Sequence, residues 1–135
     1  MTEHTFDREK TIRYWLEGAS YDLETGKSLL ESKRFPYALF FGHLALEKAL
    51  KALVVKESGE HAPYSHSLVI LAKKASIELT EDMIDDLAEY TVFNIETRYP
   101  DEKKTFYDQC TKDFAYQKFS EMEKLYKWLI QKSAG

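Results

Sequence analysis

The chain has 135 residues, of which 44% are apolar and 14% aromatic, and its formal net charge is −4. A chain of this length closes one hydrophobic core, so we expect a single domain over residues 1–135. The slight negative charge argues against indiscriminate binding to nucleic acid, and no DNA partner is predicted. A local basic pocket is compatible with this charge.

The single cysteine, Cys110, excludes an intramolecular disulfide and a zinc site built from clustered cysteines. Residues 1–13 are polar and mixed in charge, unlike a secretory signal. The most apolar stretch, residues 35–55, carries four ionisable side chains, which argues against a membrane span. We therefore expect a cytoplasmic protein that makes no contact with a membrane.

The first half of the chain predicts two long helices. Apolar residues recur at three- and four-residue steps through residues 8–31, which is typical of a helix. After a short connection, Pro36 suits a first helical position, and a second helix is predicted for residues 36–57, ended by Ser58 and Gly59. Helices joined this closely should pack antiparallel.

The second half predicts shorter elements. Residues 60–66 are expected to form a loop and residues 67–76 a short helix. Thr80 is a good N-cap for a helix reaching about residue 95. Residues 96–108 are predicted to form a charged loop, and residues 111–131 the last helix. No strand pattern is found, so the fold is predicted to be all-α with four or five helices.

Residues 78–89 contain six acidic side chains and no basic one, so one face of the fourth predicted helix is acidic. A solvated face is the simpler interpretation, and a surface that meets a basic patch of a partner is the alternative.

The second helix contains a polar stripe within otherwise apolar surroundings. At about 100° per residue, His43, Glu47 and Lys51 lie within roughly 80° of each other, whereas Lys48 lies on another side. Buried ionisable groups are costly unless they are paired or used. The stripe therefore either pairs with neighbours such as Asp22 or Arg98, or contacts phosphate, ribose and base edges of a ligand. Both interpretations hold if the stripe opens into a cleft.

A second candidate is the pair Arg98 and Tyr99, which precedes Pro100. A guanidinium beside an aromatic ring in a turn fixed by proline suits a phosphate or a carboxylate. Alternatively, Arg98 caps the last carbonyls of the fourth helix.

Other chemistries find little support in the sequence. His61 and His66 flank Pro63, but no third ligand has a suitable spacing, so no metal is predicted. Cys110 lies near no histidine, and no glycine-rich phosphate loop is present. No cofactor is therefore expected.

Four segments of the chain carry a recognisable pattern when they are taken together. They are Trp15-x3-Ala19-x2-Asp22-Leu23-x5-Leu29-Leu30, Tyr37-Ala38-x-Phe40-x2-His43-x-Ala45-x-Glu47-Lys48-Ala49-Leu50-Lys51-Ala52, His66-Ser67-Leu68-x2-Leu71 and Arg98-Tyr99-Pro100. These segments resemble the HEPN family, the higher eukaryotes and prokaryotes nucleotide-binding domain. The resemblance begins at Trp15, keeps the order of the family's segments and is most specific in residues 37–52.

The resemblance implies an up-and-down helical bundle, often dimeric through its long helices. It also implies a partner, because small bacterial members often act beside a minimal nucleotidyltransferase in toxin–antitoxin-like pairs. Many members are metal-independent RNases with an Arg followed by four to six residues and a His. Arg98 matches the first half of this motif, but Lys103, Lys104 and Thr105 occupy the positions for the His.

We therefore expect a catalytically quiet domain that binds a nucleotide or RNA as a homodimer. The candidate contact residues are His43, Glu47, Lys51, Arg98 and Tyr99, with Arg98 on phosphate and Lys51 and His43 lining the same cleft. One alternative is an RNase that uses Arg98 with a displaced His43, and another is a pure protein-interaction module.

Overall fold

The structure is a computed structural model that describes residues 6–135. Within that range the chain contains helices and connecting segments but no strand, which confirms the all-α bundle. The six helices are α1 (Arg8–Glu31), α2 (Phe35–Ser58), α3 (Leu68–Lys74), α4 (Glu81–Arg98), α5 (Thr105–Gln109) and α6 (Lys112–Ala134). None of the described helices has both the length and the hydropathy needed to cross a membrane.

Local capping sets most of the helix boundaries. Asp7, Ser67, Thr80 and Thr111 each accept a hydrogen bond from the backbone N–H three residues later, which satisfies a donor that has no partner within the helix. Gly59 ends α2 in the left-handed conformation, with φ of 70°, where glycine carries no steric penalty.

The segment predicted as a loop, residues 96–108, is partly helical. Helix α4 continues to Arg98, and the side chain of Asp101 then accepts hydrogen bonds from the backbone N–H and the hydroxyl of Thr105, where α5 begins. Phe106 of α5 is buried, with its ring centroid 5.5 Å from that of Phe93. A five-residue helix is too short for a periodic sequence signal, so only this packing reveals it.

Helix α2 is the centre of the bundle and contacts every other helix. Its buried side chains face several directions, which explains its continuous apolar sequence. Gly18 of α1 lies beside Lys48 of α2, whereas Gly26 lies beside Ala38. As residue numbers increase along α1, the numbers of the contacting α2 residues decrease, so the two long helices are antiparallel, as predicted.

The close approach of α1 to its neighbours depends on Gly26. A Cβ atom at this position would lie 2.7 Å from Cε2 of Phe119 and 3.3 Å from the backbone oxygen of Ala38. A Cβ at Gly18 would instead meet Cδ of Lys48 at 3.1 Å, and this side chain is flexible enough to move. Of these two glycines, only Gly26 is therefore required by packing.

We expect Gly26→Ala to lower the free energy of unfolding by about 1–3 kcal/mol, because the added methyl overpacks a rigid ring and a backbone oxygen. Gly18→Ala is the matched control, and it should be neutral or stabilise by up to about 1 kcal/mol through helix propensity. Urea denaturation followed by circular dichroism measures both, and equal effects of the two substitutions would contradict this account.

Candidate functional site

The polar stripe of α2 is buried inside the bundle. His43 is 0% exposed, and Glu47 and Lys51 are 4% and 6% exposed. With Asn94 of α4 and His66 of the loop before α3, these residues form one chain of contacts, which we call the His43 network. Desolvation makes the two fully buried contacts, Lys51 to Glu47 and Asn94 to His43, the most costly to lose.

His43 uses both of its ring nitrogens. Nε2 lies 2.9 Å from the backbone oxygen of His66, and because a carbonyl only accepts, Nε2 carries the proton and donates it. Nδ1 therefore accepts from Nδ2 of Asn94, at 3.1 Å. His43 thus joins α2, α4 and the loop as a neutral imidazole of defined tautomer.

The charge state of His43 follows from its burial. Burial lowers the pKa of His43 below its ordinary value, and the nearby charges of His66 and Arg98 lower it further. The hydrogen bond to the His66 backbone and the Glu47 carboxylate oppose this shift, but burial has the largest effect. An imidazolium would be costly here, because the cation would be desolvated.

Glu47 is held from two sides. Its Oε2 accepts from Nζ of Lys51 at 2.9 Å, and its Oε1 accepts from Nδ1 of His66 at 2.8 Å. The sequence suggests Asp22 and Arg98 as partners of the stripe. Asp22 instead pairs with Lys48 at 2.7 Å, and Arg98 forms no ion pair with His43, Glu47 or Lys51. The stripe therefore pairs within itself and with His66.

His66 is a site residue that the sequence pattern assigns only to a loop. Its side chain remains 41% exposed although Nδ1 is bonded to Glu47. One sequence signal could have identified His66. The Glu47 carboxylate is expected to be buried and therefore to need partners, and His66 is a possible partner in the loop that follows α2. His61 does not join the network, because its ring packs against Phe6 with centroids 4.4 Å apart.

The ammonium of Lys51 lies between two aromatic rings. Nζ is 5.0 Å from the ring centroid of Trp15 and 5.9 Å from that of Tyr64. Trp15 is half-buried, whereas Tyr64 is 95% exposed. The negative faces of the rings add to the stabilisation that Glu47 provides.

Arg98 and Tyr99 form the exposed part of the candidate site, at the end of α4. Cζ of Arg98 lies 5.1 Å from the ring centroid of Tyr99. Among residues 6–135, the Arg98 side chain has neither an ion-pair partner nor a hydrogen-bond partner, and the last turn is instead closed by the Tyr99 N–H bonding to the oxygen of Ile95. The guanidinium therefore retains its capacity for a ligand.

The structure divides the five candidate residues into two groups. His43 and Glu47 lie inside the bundle, so in this structure they support the site and do not line a cleft. Lys51, which is 6% exposed and has Nζ beside the rings of Trp15 and Tyr64, belongs to the same buried group. Arg98 and Tyr99 are open to solvent.

Cys110 is a core residue and takes no part in the candidate site. Burial raises the pKa of its thiol to about 12. This shift removes the thiolate that nucleophilic chemistry needs.

The buried neutral state of His43 predicts a pH dependence. The unfolded chain binds a proton at His43 near pH 6.5, whereas the folded protein resists it, so stability is complete above that pH and falls as pH decreases. The loss attributable to His43 should reach up to about 1.4 kcal/mol per pH unit. Urea denaturation between about pH 7.5 and 5.5 should show a shallower pH slope for His43→Gln than for wild type.

The matched control for this measurement is His61→Gln, which changes an exposed loop histidine in the same way. The pH slope of His43→Gln should be shallower than the slope of this control. A His43→Gln variant with an unchanged slope would mean that His43 does not remain neutral in the folded protein.

Comparison with known proteins identifies the family. The HEPN domain matches the chain over residues 12–133. The fold is similar to that in the crystal structure of TT1696 from Thermus thermophilus, with a TM-score of 0.74 and 21% sequence identity, covering 90% of this chain and 97% of that chain. None of the curated proteins compared with the sequence matches it. Since the family match spans nearly the whole helical bundle, the chain belongs to the HEPN domain family.

Proposed function

We propose that this HEPN protein is a catalytically quiet module that binds a nucleotide or a short single-stranded RNA. The observation that carries this proposal is the exposed Arg98 side chain, which lies beside the exposed ring of Tyr99. Among residues 6–135 it has no ion-pair partner and no hydrogen-bond partner. A planar guanidinium matches the geometry of a phosphate, and an adjacent ring offers a surface on which a base stacks.

The backbone around this pair is held in place. The hydroxyl of Thr97 donates to the oxygen of Pro36 at 3.3 Å, and the hydroxyl of Tyr107 donates to the oxygen of Thr97 at 2.8 Å. One turn earlier, Asn94 is bonded to His43. The end of α4 is thus fixed to α2 and α5, which reduces the entropy cost of ordering Arg98 on a ligand.

The rings around Lys51 extend the proposed surface. Tyr64 is almost fully exposed and adjoins both Lys51 and the ring of His66, 5.9 Å away. The Lys51 charge is already shared with Glu47, so its contribution to phosphate binding should be smaller than that of Arg98. We assign His43 and Glu47 the supporting role of fixing His66 and the loop.

The geometry of His43 favours the quiet module over the RNase that uses His43. A general base must reach the proton that it removes, but His43 is buried and both its nitrogens are engaged. A second candidate function, a metal-independent RNase, is favoured by His66 instead. Its exposed imidazole is oriented by a carboxylate, which is the arrangement of an activated base.

The wider setting is also proposed. As a HEPN protein, the chain would pair with a minimal nucleotidyltransferase in a toxin–antitoxin-like system in the cytoplasm. We further propose a homodimer formed through the long helices. Tyr14 and Tyr21 lie on one side of α1, one heptad apart and 67% and 76% exposed, and offer a surface for the second copy.

The binding proposal predicts the effect of removing the guanidinium. With fluorescein-labelled oligouridylate or with ATP as the probe, Arg98→Ala should weaken binding by about 1.5–3 kcal/mol, because a charged hydrogen bond is lost. Arg98→Lys should restore part of it, since an ammonium keeps the charge but lacks the fork. Fluorescence anisotropy for the RNA and calorimetry for ATP measure these constants, and added salt should weaken binding.

The matched control is Arg13→Ala, which removes the same charge from an exposed position on α1. Arg13 lies about 160° around the helix from Trp15, the α1 residue beside Lys51, and so faces away from the proposed surface. Unchanged binding in Arg98→Ala would refute the proposed site, and the absence of binding by the wild type would favour the interaction module. Cleavage of the RNA that both Arg98→Ala and His66→Gln abolish would establish the RNase instead.

The homodimer predicts a solution mass of twice the 15.8 kDa chain mass, with an interface above about 1,000 Å². Multi-angle light scattering at high micromolar concentration measures it. A Tyr14→Glu/Tyr21→Glu variant should be monomeric, because dimer formation would bury the two new carboxylates in the interface. Tyr116→Glu on α6 is the control and should remain dimeric. A wild-type monomer at that concentration would contradict the dimer.

A further inference from the structure

A groove between α4 and α5 combines an apolar base with an acidic rim. It encloses about 330 Å³, with Val92, Phe93 and Phe106 contributing apolar surface. Its acidic members are Glu89, Glu96 and Asp101, and no basic residue lines it within the described part of the chain. We call this feature the α4–α5 groove.

The apolar surface continues along the solvent-facing side of α4. Ala88, Val92 and Ile95 recur at four- and three-residue steps and are all exposed, Val92 by 45% and Ile95 by 51%. This spacing places them in one stripe on the helix. A stripe of this kind beside a groove is the surface that an amphipathic segment covers.

The acidic charge beside the groove is only partly balanced within the protein. Carboxylate oxygens of Asp86, Glu89 and Glu121 lie within 4.8 Å of one another. Lys118 enters this group, with Nζ 2.7 Å from Glu89 and 3.6 Å from Glu121. One ammonium among three carboxylates leaves a negative excess, and burial together with Glu121 raises the pKa of Asp86.

We propose that the α4–α5 groove docks a basic amphipathic segment of a partner protein. An apolar side chain of that segment would contact Val92 and Phe106, while flanking lysines or arginines would pair with Glu96, Asp86 and Glu89. These added cations would relieve the carboxylate crowding, which is the charge complementarity that selects this class of partner.

The chain itself is a poor occupant of this groove. A symmetric contact between two copies would place the same acidic rim against itself, which costs free energy through like-charge repulsion. RNA is likewise repelled by the rim. Glu96 and Arg98 are two positions apart in sequence and thus about 160° apart around α4, so the acidic rim faces away from the proposed nucleotide site. Ile95 of the apolar stripe lies one turn before Arg98, so the stripe adjoins that site at its end.

The test uses three fluorescein-labelled helical peptides, measured by anisotropy in the presence of EDTA. The first carries leucines at four-residue spacing flanked by lysines. In the second the lysines are replaced by glutamates, and in the third the leucines are replaced by serines. We expect the first peptide to bind wild-type protein with a Kd of about 1–100 μM, and the other two to bind at least about tenfold more weakly.

Two sets of variants locate the binding surface. Glu96→Gln/Asp86→Asn should weaken binding of the first peptide by about fivefold or more, because two ion pairs are lost. The control, Glu31→Gln/Glu60→Gln, changes net charge equally at exposed positions outside the groove and should bind as wild type does. Val92→Thr, which preserves shape, should also weaken binding.

The proposal is overturned if the first peptide does not bind, if the serine peptide binds equally well, or if the Glu96→Gln/Asp86→Asn variant matches its control. It is also overturned in favour of a second copy of the chain if this variant changes the mass measured by light scattering. Each of these results leaves the Arg98 proposal untouched, because RNA binding is measured separately and the substituted residues Asp86, Val92 and Glu96 lie at least about 120° around α4 from Arg98.

Discussion

The fold depends on a buried, neutral histidine. His43 of α2 accepts a hydrogen bond from Asn94 of α4 and donates one to the backbone of the loop at His66. Three segments that are distant in sequence are thereby fixed to one imidazole ring. Because the His43 ring is fully buried, an alternative arrangement of α4 or the loop would leave one of its nitrogens unpaired away from water, which costs about 1–3 kcal/mol.

The same ring sets the arrangement of the charged groups around it. By fixing the His66 backbone, His43 brings the His66 side chain to Glu47, which also receives Lys51. Two cationic or protonatable groups around one carboxylate make burial of Glu47 tolerable. The network therefore fixes the loop at His66 and α4 at Asn94 to α2. Support of this kind would preorganise the binding surface that we propose.

Helix α4 separates two surfaces of opposite charge. Arg98 and Tyr99 lie at its end on one side, and the acidic rim with Glu96 lies on the other. An anionic ligand is attracted to the first surface and repelled by the second, and the reverse holds for a basic segment. A single helix thus presents two surfaces of opposite charge because its residues are spaced about 100° apart.

The sequence by itself determined the five longer helices and the polar stripe of α2, because both depend on local rules. Asp7, Ser67, Thr80 and Thr111 act through backbone groups three residues away, and the shared face of His43, Glu47 and Lys51 follows from helical spacing. Only the tertiary structure decided the partners, because His43 and Asn94 are 51 positions apart and Glu47 and His66 are 19 apart. It likewise decided that α5 forms and that Arg98 remains exposed, since these outcomes depend on packing between segments that no local pattern records.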